Sequence, residues 1–131
     1  LGNLGATHAF VVHGMDGLDE ITITDKTRVS EFKDGKVRDY FIQPADFGLP
    51  IGKAEDLMGG DAKANAAITL EILKGQKGSC RDITLLNAAA GLVASGKAMD
   101  FKEGIRLAAE SIDSGAALKK VEQLKAFTNR P

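Results

Sequence analysis

The 131-residue chain is predicted to be an α/β unit, a central sheet flanked by helices with an added β-hairpin. Three observations predict it. An apolar run, Ala9-Phe10-Val11-Val12, ends in a glycine-punctuated turn that delivers two adjacent carboxylates, Asp19 and Glu20. Buried strands of open α/β sheets present their sites in this way, at their carboxyl ends. Two β-rich stretches, Thr27 to Lys33 and Lys36 to Ile42, flank Asp34-Gly35, a pair suited to a type I′ turn because both central residues need positive φ. From Asp61 onward, apolar residues recur at helical spacing.

Consecutive side chains of a regular strand face opposite ways, so Asp19 and Glu20 can converge on one ligand only if the chain bends around Gly17. Glycine makes that bend cheap. Ile21-Thr22-Ile23-Thr24 alternates apolar with polar β-branched residues and favours a short extended segment. In the hairpin, charges alternate with Val29, Phe32, Val37 and Phe41, which places it at a sheet edge with one wet face. The prolines of Gln43 to Pro50 disfavour helix and ladder bonding, so a turn-rich crossover follows.

Asp61 caps a helix running to about Lys74, with Ile68, Ile72 and Leu73 on one face and Gly75 as its stop. A second helix, about Asp82 to Ser95, is apolar nearly all round and so buried on most sides. Asn87 in its middle is either a helix-helix hydrogen bond or a ligand contact. A third opens with Asp100 and Glu103, the acid-x-x-acid variant of a capping box, and carries Ile105, Ala108, Ala109 and Ile112 up to a break at Ser114-Gly115. The last, roughly Ala116 to Phe127, sets Leu118, Val121 and Leu124 opposite Lys119, Lys120 and Lys125.

Apolar residues at 44% and charged ones at 27% describe an ordinary globular chain, and with no internal repeat or linker residues 1–131 form a single unit. Net charge is -1 with Lys and Arg scattered among acids, so no polyanion-binding surface is indicated. Aromatic residues at 5% leave no stacking platform for single-stranded nucleic acid. No apolar stretch spans a bilayer, and nothing at the start resembles a signal peptide. The single cysteine, Cys80, excludes an internal disulfide and fits a reducing, cytoplasmic compartment. The chain begins at Leu1, and Leu1-Gly2-Asn3-Leu4-Gly5 resembles the frayed end of a helix, so a piece of something longer is expected.

Gly91 to Ala98 has the spacing of a phosphate-binding P-loop, but Ala98 replaces the residue that would reach the metal and the stretch follows a helix. It is therefore expected to be a helix C-terminus with Gly96 left-handed. Gly59-Gly60-Asp61 is a turn plus N-cap, with an anion nest as the alternative. His8 and His13 lie too far apart along a strand to share a metal easily, and one hydrogen-bonded histidine is expected. Cys80 is expected to be a structural thiol. Asp19 and Glu20 remain as the candidate site. Neighbouring carboxylates repel unless a positive charge sits between them, and oxygen ligands suit a hard cation such as Mg2+ with phosphate completing its shell. Two solvated acids at a loop edge is the alternative that the residue types leave open.

Several stretches agree with one family. Val11-Val12-His13-Gly14-x-x-Gly17-Leu18-Asp19-Glu20, Pro44-Ala45-Asp46-Phe47-Gly48-Leu49, Gly59-Gly60-Asp61-x-x-x-Asn65-Ala66 and Leu85-Leu86-Asn87-Ala88-Ala89 resemble, in order and spacing, the carboxyl-terminal part of the anthranilate phosphoribosyltransferases. The resemblance implies the carboxyl-terminal portion of a larger α/β domain, and a Mg2+-dependent transfer of phosphoribose from phosphoribosyl pyrophosphate to anthranilate. It assigns Mg2+ to Asp19 and Glu20, gives His13, Gly14 and Gly17 the shaping of the turn, and makes the full-length enzyme a homodimer. Departure of pyrophosphate piles charge on the leaving oxygens, so a metal and held substrates supply most of what such a reaction needs. The family's glycine-rich phosphate loop, its Lys-His-Gly segment and its anthranilate-binding arginine belong upstream, so this polypeptide alone is expected to be inactive. Two rivals follow from the same fold. A pyrimidine nucleoside phosphorylase needs phosphate but not this metal pair, and a Mg2+ titration separates it. A non-enzymatic nucleic-acid-binding paralogue would reveal itself by a steep salt dependence of DNA affinity.

Overall fold

The computed structural model describes residues 1–129. Three strands, β1 (His8–Gly14), β2 (Thr27–Lys33) and β3 (Lys36–Ile42), form one antiparallel meander in the order β1-β2-β3. Four helices follow: α1 (Ala62–Leu73), α2 (Ser79–Ala94), α3 (Phe101–Asp113) and α4 (Ala116–Thr128). The unit is thus α/β, as its patterning predicts. The hairpin, however, is not an appendage beside a separate sheet. Its first strand is the central one and pairs with β1 from His8 opposite Lys33 to Gly14 opposite Thr27. The turn after β1 sends the chain straight back along its own strand, which a hydrophobic pattern alone does not reveal. Asp34 and Gly35 have φ of 51° and 74°, the left-handed pair that a type I′ turn requires.

One face of the sheet makes the core. Val12, Val29 and Tyr40 share one register row, and Gly14, Thr27 and Ile42 the next. Against them pack Ile21, Ile23 and Leu86, with Phe10, Ile83, Phe101 and Ile105 around the rim. Ile21 to Thr24 is not extended as expected but a bent segment, and Ile21 and Ile23 are each 1% exposed. Their alternation reflects two plugs driven under α2. Each such burial contributes roughly 2 kcal/mol. The opposite face is largely bare: Val11, Val37 and Phe41 are 58%, 64% and 57% exposed.

Two 3-10 turns, Pro44–Phe47 and Ala54–Leu57, fill the crossover. α2 starts at Ser79, a turn earlier than Asp82, because Gly78 at φ 130° leaves the helical region only there. Buried Arg81 bonds Asp113 at 2.8 Å and so ties the start of α2 to the end of α3. These two helices touch at Gly104, where a Cβ would stand 2.9 Å from the Ala89 Cα. Only glycine permits that approach. α1 buries no residue fully, and Ile68, Ile72 and Leu73 are its half-buried positions, on the predicted stripe. α4 docks through Ala117, Leu118 and Val121, but Leu124, expected on the same stripe, is 62% exposed. No helix among the described residues is long and apolar enough to cross a membrane.

Candidate functional site

The loop between β1 and β2 carries the acid pair. It leaves β1 at Gly14, whose N–H donates to the Leu18 carbonyl at 2.8 Å, while the Met15 N–H donates to Lys26 at 2.8 Å. Gly17 has φ 99° with open space around it, so its glycine is needed for backbone conformation. Gly14 is needed for room, since a Cβ there would lie 2.5 Å from Asp16 Oδ1 and 3.2 Å from Thr22.

Asp16 organises the turn. Its carboxylate accepts the Leu18 N–H at 3.1 Å, the Thr22 hydroxyl at 2.5 Å and the Thr24 hydroxyl. Burial works to raise the Asp16 carboxyl, but the hydroxyl bonds from Thr22 and Thr24 and the backbone amides together hold it below the usual carboxylate range. The Thr22 N–H donates in turn to Thr27 Oγ1 at 3.0 Å. On the other side of the acid pair, Asn87 of α2 reaches the loop. Its Oδ1 accepts the Ile21 N–H at 3.0 Å, and its Nδ2 donates to the Ile21 carbonyl at 2.7 Å and the Ile83 carbonyl at 3.0 Å. Asn87 therefore does not make the helix-helix bond that was one of the two alternatives. It bonds a helix to a loop, and both its amide hydrogens are committed.

Asp19 and Glu20 sit exposed between these pinned points. Neither side chain makes a hydrogen bond or ion pair among the described residues, and no three His, Cys, Asp or Glu residues there gather as a metal cage. Two carboxylates without protein partners are a donor set that fits a hard cation, with the remaining ligands left to water or a phosphate-bearing substrate. His13 is exposed on the bare sheet face, while His8 lies on the core face. The two histidines are not brought together. Sequence reasoning missed Asp16, treating positions 15 and 16 as variable. The available signal was an Asp two residues before a turn amide, followed by two threonines in reach.

A second polar cluster lies on the core face. Buried Glu31 accepts from His8 at 3.0 Å, Arg38 at 3.0 Å and the Tyr40 hydroxyl at 3.1 Å. Burial pushes the Glu31 carboxyl up, but the His8, Tyr40 and Arg38 bonds and the Arg38 charge outweigh it, leaving the carboxyl below its ordinary value. Tyr40 is pushed up to about 12 by burial, then by the Glu31 charge and bond. Satisfied on three sides, this cluster is a structural knot, and it supplies the hydrogen-bonded histidine.

The other motifs resolve structurally. α2 ends at Ala94, Gly96 has φ 70°, and the Lys97 N–H returns to the Leu92 carbonyl, so the P-loop-like stretch is a helix terminus. Asp61 caps α1 through the Ala64 N–H at 2.8 Å, and Asn65 bonds both the N–H and the carbonyl of Gly60. The Cys80 thiol donates to the Asp56 carbonyl at 3.2 Å. A groove of about 430 Å³ between α1 and the start of α2 is lined by Asp56, Lys77 and Cys80 and includes neither Asp19 nor Glu20.

Residues 1–118 match the family model described as glycosyl transferase family, a/b domain. Anthranilate phosphoribosyltransferase of Anaeromyxobacter sp. is 55% identical over 131 residues, which is all of this chain and 39% of that protein. Among solved structures, the anthranilate phosphoribosyltransferase of Thermus thermophilus superposes with TM-score 0.88 at 38% identity, covering 98% of this chain and 38% of that one. The Saccharomyces cerevisiae enzyme in complex with phosphoribosyl pyrophosphate and Mg gives TM-score 0.76 at 33% identity, covering 86% and 33%. The chain thus spans about two fifths of the length of the relatives it matches. With nine tenths of its residues aligned to that family model, in the order its sheet and helices require, it belongs to the glycosyl transferase family, a/b domain.

Proposed function

We propose that the chain is the carboxyl-terminal part of a Mg2+-dependent anthranilate phosphoribosyltransferase, transferring phosphoribose from phosphoribosyl pyrophosphate to the anthranilate amine with release of pyrophosphate. The observation that carries this reading is the Asp19-Glu20 pair, two carboxylates without protein partners on a loop pinned on both sides. Asp19 and Glu20 hold the metal, and the Gly14-Gly17 turn sets the backbone from which they project. When bound, Mg2+ neutralises charge on the diphosphate as it departs. No protein nucleophile is needed, since the acceptor amine attacks the sugar carbon itself.

The exposed Val11, Val37 and Phe41 on the outer face of the sheet support a place within a larger domain, since exposed apolar side chains collected on one sheet face favour a covering surface. In this reading the complete enzyme is a cytoplasmic homodimer, and the remaining substrate-binding groups come from the rest of its domain. The 131-residue chain alone then shows no phosphoribosyl transfer, and turnover near that of a complete enzyme overturns this. In the complete enzyme, Glu20→Gln raises the Mg2+ concentration for half-maximal turnover by at least about tenfold, with an unchanged unfolding midpoint. Unaltered metal dependence in both Glu20→Gln and Asp19→Asn removes the basis of the reading.

A further inference from the structure

We infer that Asn87 is a positioning residue for the acid pair: from the neighbouring helix it fixes the peptide that immediately follows Glu20, and so sets where the two carboxylates stand. The inference rests on the reading of Asp19 and Glu20 as the metal-holding residues. Its basis is geometric. Asn87 offers Ile21 what a neighbouring strand would offer, an acceptor for its N–H at 3.0 Å and a donor for its carbonyl at 2.7 Å. Only one orientation of the carboxamide does this, with its oxygen facing an N–H and its nitrogen facing two carbonyls.

The anchor is itself rigid. The second hydrogen of Nδ2 is held by the Ile83 carbonyl one turn back in α2, and the adjacent Leu86 is fully buried in the core. Ile21 is 1% exposed, so a released N–H and carbonyl there would find no water in the folded state. On the amino side, Asp16 holds the Leu18 N–H and the hydroxyls of Thr22 and Thr24. Only Asp19 and Glu20 lie between the Leu18 and Ile21 anchors, which leaves the backbone under the carboxylates little freedom. Two like charges that must approach one cation repel when it is absent, so a loosened loop would let them part. Pinning both flanks keeps the pair ready.

The test uses the complete enzyme with Mn2+ alone as the probe, its binding read by electron paramagnetic resonance. Asn87→Ser, whose shorter side chain cannot span both the N–H and the carbonyl of Ile21, is expected to weaken Mn2+ binding about tenfold. Ile112→Val, in the separate core between α2 and α3, loses stability without touching the loop and is expected to leave Mn2+ binding unchanged. Asn87→Asp, which keeps the shape and the acceptor for the Ile21 N–H but loses the donor to the Ile21 carbonyl, is expected to weaken binding about threefold, and it decides the matter if Asn87→Ser does not fold. Asp19→Asn separates the two levels of the argument. If it abolishes Mn2+ binding while Asn87→Ser, or Asn87→Asp in its place, does not alter it, the positioning role is overturned and the metal site stands. If Asp19→Asn and Glu20→Gln both leave binding intact, the metal reading fails and the inference with it. An equal loss in Ile112→Val overturns the inference by assigning the effect to general stability.

Discussion

Asn65 and Asn87 perform the same act in two regions of the molecule. Each lends a carboxamide to the N–H and carbonyl of one other residue, the nearby Gly60 for Asn65 and the distant Ile21 for Asn87. Asn65 stands exposed at the start of α1, a helix that buries no residue fully, whereas Asn87 joins α2 to a loop whose isoleucines fill the core. The difference teaches that geometry does not set the worth of a hydrogen bond. Around Gly60, water replaces a lost partner at once; around Ile21 it cannot.

Breaking both clamps is the direct test. Asn87→Ala leaves two buried backbone groups unmatched and is expected to destabilise the chain by about 3 kcal/mol, measured by urea unfolding. Gly104→Ala sharpens the same contrast from the apolar side. Its new methyl meets Ala89 backbone and side chain at 3.0 Å or less, and overpacking of this kind costs about 2 kcal/mol.

The Glu31 knot extends the comparison to charge. Its folded-state carboxyl lies below the ordinary value of 4.5, so the unfolded chain binds more protons as pH falls through that window. The associated stability is present above about 4.5 and is lost as pH drops through the folded value. Glu31→Gln should flatten urea midpoints measured between neutral and acid pH. The same change should move the near-ultraviolet titration of Tyr40, the single tyrosine, down from about 12 toward its ordinary 10.0, since the Glu31 charge and bond are lost while burial remains.

The smallest effects belong to the flank. Asp61→Ala removes an N-cap and is expected to cost about 1 kcal/mol, seen as faster amide exchange confined to α1. Asn65→Ala, with water at hand, should cost about 0.5 kcal/mol. A loss for Asn65→Ala matching that of Asn87→Ala would break the comparison.

What was legible in the sequence follows the same division. The helical stripes, apart from Leu124 on the last, the Asp34-Gly35 turn, the caps at Asp61 and Asp100 and the Gly96 terminus depend on residues close in sequence, and each formed as its local chemistry requires. Asp19 and Glu20 stood out because adjacent acids after a glycine turn are conspicuous. What holds them was not legible. Asn87 lies 66 residues from Ile21, and no periodicity connects a helix amide to a loop peptide. The pairing of β1 with the hairpin was hidden because Ile21 to Thr24 alternates like a strand while serving as a core plug. Gly104 gave no sign of helix contact, since only its neighbour Ala89 makes the missing side chain matter.

Among the described residues β1 bonds a single neighbour, β2, and its Val11 faces outward on the bare side of the sheet. Ladder groups left open beside apolar side chains are a template for another strand. Purified by itself, the 131-residue chain should therefore self-associate as its concentration rises, and a lysine in place of Val11 should restore a monodisperse solution, as light scattering would register. On that expectation, solubility of this chain by itself turns on that rim more than on a net charge of -1.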